Sequence, residues 1–244
     1  MLQSLVFRAF AGAAGVAACI VLLSGSAKAA ENGSGAIRPV IVTGTGAPAP
    51  PDLFGTVALP IRPDRYMNGW ERARRDASGL PQMQRLIAPA RGLWPEQQLT
   101  YIQGAVFHLI RWRSDATEWG QHDYWASAAE TLQHGAGDGD NRAILKLEAL
   151  RALGFPTRDL YLTMGRDKVG GPVTVLLVRV GQRTWVLDDT DGAPYPTDRR
   201  PEFTPMLTFG FGGSWIHGYA VRHAPGSGAI AAATSGATNL GGRR

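Results

Sequence analysis

Acidic residues flank a glycine at the start of a predicted helix, within the stretch His134–Lys146. Asp138 or Asp140 has the position of a helix N-cap, where a carboxylate accepts hydrogen bonds from free backbone N–H groups and complements the helix dipole. Such an N-terminus lowers the pKa of a thiol placed on it, so it suits a nucleophilic cysteine. Gly139 stands in that place. The spacing therefore predicts a position suited to a nucleophilic cysteine, but a glycine occupies it.

The chain has 244 residues and a single cysteine, Cys19. This cysteine lies in a predicted secretory signal over residues 1–29, which contains Arg8, the apolar run Ala9–Leu23 and the small-residue site Ala27-Lys28-Ala29. The run is shorter than the roughly 20 apolar residues of a membrane span. We expect a periplasmic or secreted protein, membrane-bound only if the signal is retained. Cleavage removes the only thiol, and with it any disulfide or thiolate metal ligand.

Composition indicates a globular protein and gives no sign of nucleic-acid binding. The hydrophobic content is 44%, and there are seven tryptophans. The formal net charge of +5 falls to +3 when Arg8 and Lys28 leave with the signal. The remaining basic residues are scattered, whereas a nucleic-acid interface needs them clustered or in a motif.

The hydrophobic period changes from helical to strand-like along the chain. We predict a signal peptide over residues 1–29, a Pro/Gly-rich linker over 30–60, one domain over 61–222 and a disordered tail over 223–244. The predicted helices span residues 63–78, 97–111, 127–134 and 138–153, and the predicted strands span 160–164, 173–180, 183–188 and 203–209. Helices followed by an antiparallel meander predict an α+β domain.

Markers dispersed between residues 115 and 215 give the sequence a family resemblance. They are Asp115, Trp119-Gly120, Asp123-Tyr124-Trp125, Glu130, Leu132, Gly137-Asp138, Ala143, Lys146, Leu150-Arg151, Leu153-Gly154, Val186-Leu187-Asp188, Thr208-Phe209 and Trp215. In their order and spacing, the sequence resembles the LapG-like bacterial transglutaminase-like cysteine peptidases over about residues 61–218. The resemblance implies a papain/transglutaminase-like fold, with N-terminal helices packed on an antiparallel sheet.

The resemblance also implies a catalytic triad that this chain has largely lost. The family motif Asp-Cys-Glu-Asp-Tyr-Ala matches residues 138–143, so that the cysteine position is Gly139. The histidine position is Val173, give or take one residue, and the aspartate position is Asp188. In such triads the thiolate attacks a carbonyl and the aspartate orients the histidine, so losing two members removes the expected chemistry. Whether the chain is an enzyme is therefore uncertain from sequence, and we expect an inactive one.

Family analogy points first to a pseudoenzyme that binds a protein or peptide without cutting it. The groove walls would include Trp119, Tyr124, Trp125 and Arg142. By the same analogy, the partner would be a membrane receptor or an adhesin. The protein would then be a regulator or decoy in adhesin and biofilm control.

Two other classes of function stay open. Family members bind calcium through the acids that flank the cysteine, which match Asp138 and Asp140 here, and Ca²⁺ prefers such hard oxygen ligands. Helix capping alone would also explain both residues. A hydrolase with a repurposed acidic site would draw on these two residues together with Asp188 and Asp189.

Overall fold

The computed structural model describes residues 53–62, 64–190, 192–199 and 203–219 of the chain. The predicted signal, the predicted tail and most of the predicted linker lie outside these residues. Among the described helices, none is both long and apolar enough to cross a bilayer.

Six α-helices lie in the N-terminal and central parts of the described chain. They are α1 (Asp64–Ala73), α2 (Pro81–Ile87), α3 (Pro95–Leu109), α4 (Asp115–Glu118), α5 (Ala128–His134) and α6 (Gly139–Ala152). A capping box starts α5 as predicted, because Ser127 and Glu130 each bond to the other's backbone N–H. The sequence analysis did not predict α2, a short helix of seven residues.

Seven strands form one antiparallel sheet, and two further strands of two residues each form a small parallel sheet. The strands are β1 (Val57–Ile61), β2 (Arg111–Trp112), β3 (Ala136–Gly137), β4 (Leu160–Arg166), β5 (Pro172–Val180), β6 (Arg183–Leu187), β7 (Tyr195–Pro196), β8 (Thr204–Gly210) and β9 (Gly213–Gly218). The large sheet has the order β1-β9-β8-β4-β5-β6-β7. The α+β class is confirmed, but the predicted meander is wrong: β8 pairs with β4 after the chain has crossed back from β7.

The sheet also moves the predicted domain boundary. Val57–Ile61 forms the edge strand β1 and pairs with β9, although the sequence analysis assigned residues up to 60 to a linker. Leu53 is already buried. Pro60 fits this edge position because proline cannot donate to a second neighbouring strand.

Helix α6 lies at the centre of the domain. The sequence predicts an apolar stripe along it, yet every residue from Asn141 to Leu150 is buried. The cause is tertiary, because α6 contacts the sheet through β4 and β5 and also contacts α2, α3 and α5. Arg142, Lys146 and Glu148 are consequently buried as well.

Strand alternation divides the sheet into two apolar faces. Leu176 and Val178 of β5 pack in the main core with the helices. The alternate residue Val175 packs on the opposite face, in a second cluster that includes Leu53 and Phe203. We refer to the side of the sheet that packs against the helices as the helix face, and to the opposite side, where Leu53 packs, as the strap face.

Candidate functional site

Asp138 is the N-cap of α6. One of its carboxylate oxygens, Oδ1, accepts hydrogen bonds from the backbone N–H groups of Asp140, at 3.0 Å, and Asn141, at 3.2 Å. This geometry satisfies two of the donors that every helix N-terminus leaves without an intrahelical partner. Of the two caps that the sequence allows, the structure uses Asp138.

The acids at this N-terminus are buried near one another. Burial, followed by the negative charges of Asp140 and Asp115, raises the pKa of Asp138 above its usual range. Burial also raises the pKa of Asp140, with the charges of Asp123 and Asp115 acting in the same direction and a hydrogen bond from Thr174 opposing them. Accumulated like charge is therefore the main electrostatic feature of the site.

A carboxylate from another loop faces the position predicted for the thiol. A Cβ added to Gly139 would lie 3.7 Å from Oδ2 of Asp189. The guanidinium of Arg142 donates to Oδ1 of Asp189 at 2.8 Å and, through Nε at 3.1 Å, to the Ile110 carbonyl. Arg142 is thus directed into the protein, where it pairs with Asp189. We predicted it as a groove residue, and its burial removes it from any open groove wall.

Within the one-residue range predicted around Val173, the structure shows which β5 side chain faces α6. Val173 packs with the cluster on the strap face, on the side of the sheet opposite α6. Thr174, the next residue, is buried, and its hydroxyl near Asp140 on α6 acts to lower the pKa of that carboxyl. Because side chains alternate along a strand, a single residue decides which face is reached. The β5 side chain at the helix N-terminus is therefore Thr174, and because both faces of β5 carry apolar residues, the period of the strand does not identify it from sequence.

Asp188 stabilises the turn that follows β6. Its carboxylate accepts hydrogen bonds from the hydroxyls of Thr190, at 2.7 Å, and Tyr195, at 2.9 Å. Its backbone carbonyl accepts from Lys146 and, at 3.1 Å, from Gln103. These contacts describe a structural role for a residue that we predicted as the third member of a triad.

Lys146 and Gln103 belong to this region but were not predicted as site residues. The ammonium group of Lys146 is buried, and burial lowers its pKa to about 8, although the charges of Asp189 and Asp188 act in the opposite direction. Gln103 donates to the Thr190 carbonyl at 2.8 Å. Their sequence signal was weak, because both lie among apolar residues of predicted helices.

The aromatic loop before α5 packs mainly against the protein itself. Trp125 is buried in the main core against Tyr66 and Phe209. Trp119 and Tyr124 remain half-buried, with ring centroids 4.9 Å apart. Only these two of the predicted groove residues therefore offer surface to a partner.

Asn141 fixes the aromatic loop to α6. It accepts from the Ala126 N–H at 2.7 Å and donates to Asp115 at 3.0 Å, and Asp115 accepts from the Tyr124 N–H at 2.6 Å. A Cβ on the neighbouring Gly137 would lie 2.7 Å from Cβ of Asn141, so this close approach requires glycine.

Metal-binding geometry is limited in the described part of the chain. No three His, Cys, Asp or Glu side chains there are grouped so that they could hold a metal ion. Asp138 and Asp140 remain as a pair of acids with hard oxygen donors. Chemically, the site contains carboxylates, an ion pair and a hydroxyl, and the helix N-terminus itself carries no nucleophilic side chain.

Comparison with known proteins places the chain among cysteine peptidase relatives. The family model described as bacterial transglutaminase-like cysteine proteinase matches residues 63–195. The solved structure of Legionella pneumophila LapG has 23% identity and a TM-score of 0.49, and the match covers 55% of this chain and 74% of that one. The calcium-bound form of that protein has 22% identity and a TM-score of 0.49, and the match covers 62% and 86%.

A third structure, the EGTA-treated form of Legionella pneumophila LapG, has 20% identity and a TM-score of 0.49, with 65% of this chain and 87% of that one covered. Among curated proteins, no sequence matches this chain. We take the family from the family model, which matches more than half of the chain. The chain therefore belongs to the bacterial transglutaminase-like cysteine proteinase family.

Proposed function

We propose that this protein is a pseudoenzyme of its family, which binds a protein or peptide partner without cleaving it. One observation carries the proposal. The first residue of α6 is Gly139, and the Asp189 carboxylate lies 3.7 Å from where a Cβ would be. A helix N-terminus activates a thiolate only if a thiol is there, and here it faces the carboxylate of an ion pair instead.

The β5 side of the site supports the same proposal. Thr174 faces α6 and lies near Asp140, whose pKa it acts to lower. A hydroxyl cannot replace an imidazole as general base near neutral pH, because its pKa is far too high. Of the acids of the repurposed-hydrolase alternative, Asp138 forms the cap, Asp189 an ion pair and Asp188 the turn after β6, which argues against a catalytic pair among these three.

Reconstruction of the triad tests the proposal at the level of chemistry. The double variant Gly139→Cys with Thr174→His should gain a thiol that reacts with iodoacetamide, whereas the wild-type mature chain should not react. We expect the thiol pKa to stay near its usual value of about 8.5, because Asp138, Asp140 and Asp189 counter the effect of the helix N-terminus. Gly139→Cys with Val173→His is the matched control, since residue 173 lies on the strap face.

A depressed thiol pKa in the double variant, together with peptide cleavage, would mean that the geometry of the catalytic site is intact and that only its cysteine and histidine are missing. Cleavage by the wild-type mature chain would overturn the proposal directly. Loss of that cleavage in Asp138→Asn, Asp140→Asn or Asp188→Asn would then identify a repurposed acidic site.

A capture experiment tests the binding half of the proposal. Mature residues 30–244 would be incubated with periplasmic and outer-membrane extract, and retained proteins and new fragments identified by mass spectrometry. We expect an intact partner, of the receptor or adhesin kind that family analogy favours. Capture should weaken about tenfold in Trp119→Ala and persist in Trp94→Ala, an exposed tryptophan elsewhere on the surface.

Location in the cell is part of the proposal. The signal over residues 1–29 would place the mature chain in the periplasm or outside the cell. Fractionation and N-terminal sequencing of the natural protein test this. Recovery of Met1 or Leu2 at the N-terminus, in the membrane fraction, would indicate a retained anchor.

Calcium binding is a second candidate function, favoured by the like charges around Asp138. A divalent cation between Asp138 and Asp140 would offset the burial and the neighbouring negative charges that raise their pKa values. Because the described residues provide only two grouped acids, backbone carbonyls and water would have to complete the shell. At 1 mM calcium we expect a higher melting temperature, lost in Asp138→Asn, which preserves the cap. An equal effect of calcium on wild type and Asp138→Asn would contradict calcium binding at this site.

A further inference from the structure

A chain of hydrogen bonds crosses three strands on the strap face of the sheet and ends at the residue before a fourth. The hydroxyls of Thr163 (β4) and Thr208 (β8) lie 2.9 Å apart, and the Thr208 hydroxyl lies 2.8 Å from Nε2 of His217 (β9). Nδ1 of His217 lies 2.8 Å from the hydroxyl of Thr56, just before β1. The chain ends where this hydroxyl meets the Leu53 carbonyl at 2.7 Å.

The last bond fixes the direction of all the others. The Leu53 carbonyl can only accept, so the Thr56 hydroxyl donates to it and must accept from His217. Nδ1 of His217 therefore carries a proton, and in a neutral imidazole Nε2 is then the acceptor. It follows that Thr208 donates to His217 and Thr163 donates to Thr208. Each hydroxyl proton is used once.

Protonation of His217 disrupts this order. A proton on Nε2 would turn the acceptor into a donor, so that the Thr208 hydroxyl would have to turn toward Thr163. Thr163 and Thr208 are fully buried, and the Thr163 proton would then need another acceptor. A buried hydroxyl left without its hydrogen bond is destabilising, because its desolvation is no longer compensated. The network therefore favours the neutral imidazole.

The first described residues of the chain depend on this network. Leu53 and Thr56 are buried, and Leu53 packs with Phe203 and Trp215 on the strap face. The strand that follows, β1, is an edge strand that pairs only with β9 in the large sheet of the described chain. Its residues Val57 and Leu59 are exposed and add little burial. His217 thus joins an otherwise lightly held segment to the sheet.

We propose that residues 53–61 form a strap that is latched to the sheet through neutral His217 and loosens when this imidazole is protonated. Release would expose the edge of β9 and the apolar strap face. The strap-face cluster contains the phenols Tyr161 and Tyr195, which carry no charge at acid pH, and the charged residues beside Tyr161 are Arg179 and Asp159, which form an ion pair with each other. Burial lowers the pKa of His217 to about 4, with no charged group contributing.

Hydrogen exchange tests the latch in the mature chain. Protection factors, which divide out the intrinsic pH dependence of exchange, would be compared for the amides of β1 and of the central strand β5 between pH 7 and pH 5. A pKa of about 6.5 in the open form and about 4 in the closed form predicts an opening constant about twentyfold larger at pH 5. Protection in β5 should change far less.

Two variants separate the latch from a general loss of stability. His217→Gln retains one donor and one acceptor but cannot titrate, so protection of β1 should persist and become independent of pH. His134→Gln, which replaces a more exposed histidine on α5, should preserve the wild-type pH dependence. If β1 loses protection equally in wild type and His217→Gln, or if β1 and β5 lose it together, the latch does not exist.

Imidazole ¹⁵N chemical shifts of wild type provide an independent readout if His217→Gln does not fold. The directed network requires the Nδ1–H tautomer at pH 7, the less common form in free histidine. Observation of the Nε2–H tautomer would overturn the proposal.

Discussion

The domain buries polar groups in two places, and it stabilises them in different ways. Around the N-terminus of α6, charged groups accumulate: Asp138 and Asp140 repel each other, while Arg142 and Asp189 form an ion pair. On the strap face, the threonine–histidine chain buries no net charge and relies on the direction of each hydrogen bond. The first region depends on charge balance, and the second depends on neutrality.

This difference has opposite consequences for the dependence of stability on pH. Carboxyl groups whose pKa is raised by folding stabilise the protein at low pH, and this contribution falls as the pH rises above about 4 toward the folded-state values. His217, whose pKa is lowered by folding, contributes fully above about pH 6.5 and loses its contribution as the pH falls toward about 4. Between pH 4 and 6.5 the two regions therefore act against each other.

The largest effect is expected from breaking the ion pair of the charged region. Arg142→Met should lower the free energy of unfolding by about 3 kcal/mol, because it leaves the Asp189 carboxylate partly buried without its partner. The side chains of this pair are 6% and 25% exposed. Urea unfolding at pH 7 measures the change.

Arg74→Met is the matched control, since Arg74 pairs with Glu71 at the surface with 38% and 49% exposure. It should cost no more than about 1 kcal/mol. Adding Asp189→Asn to Arg142→Met should recover part of the loss. Equal losses in Arg142→Met and Arg74→Met would mean that the charged region has no special dependence on charge balance.

A smaller gain is expected from removing the repulsion at the cap. Asp138→Asn keeps the N-cap oxygen and removes a charge, so it should stabilise the protein by about 1 kcal/mol at pH 8 and change little at pH 5. Unfolding by urea across this pH range measures it, with the exposed Asp198→Asn as control. A variant that is less stable than wild type at pH 8 would contradict the charge argument.

The smallest effect is expected at Gly139 itself. Gly139→Ala places a methyl group 3.7 Å from Asp189, which is an ordinary contact, so the melting temperature should change little or rise slightly. Gly137→Ala is the steric counterpart: its methyl group would lie 2.7 Å from Cβ of Asn141, and a loss of about 2 kcal/mol is expected. A large loss in Gly139→Ala would show that the site has closed more tightly around residue 139.

Much of the local structure could be predicted because it depends on neighbouring residues. The capping box of α5, the cap of α6 and the end of that helix near Gly154 follow from side chains within a few positions of one another. The hairpin between β5 and β6 is also local, with Gly181 in the left-handed region at φ 61°. Gly139 at the helix start was visible for the same reason.

The errors concern features set by distant partners. Nothing near Val173 indicates which face of β5 meets α6, so the sequence placed the histidine position only to within one residue of Val173. The positions of β1 and β9 at one edge depend on pairing between residues about 155 apart in the chain. The burial of Arg142 and Lys146 was not predicted, because their partners Asp189 and Asp188 lie in a turn that is distant in sequence.

The sequence by itself determined that a helix starts at Gly139 with an acidic cap and that no cysteine follows Cys19. These conclusions need only residue types and short-range spacing. Tertiary structure alone decided that Thr174 faces this helix, that Asp189 lies beside Gly139 and that His217 contacts Thr56 next to the first strand. Such choices depend on which surfaces pack together, and a period of two or 3.6 residues specifies a face without naming what will cover it.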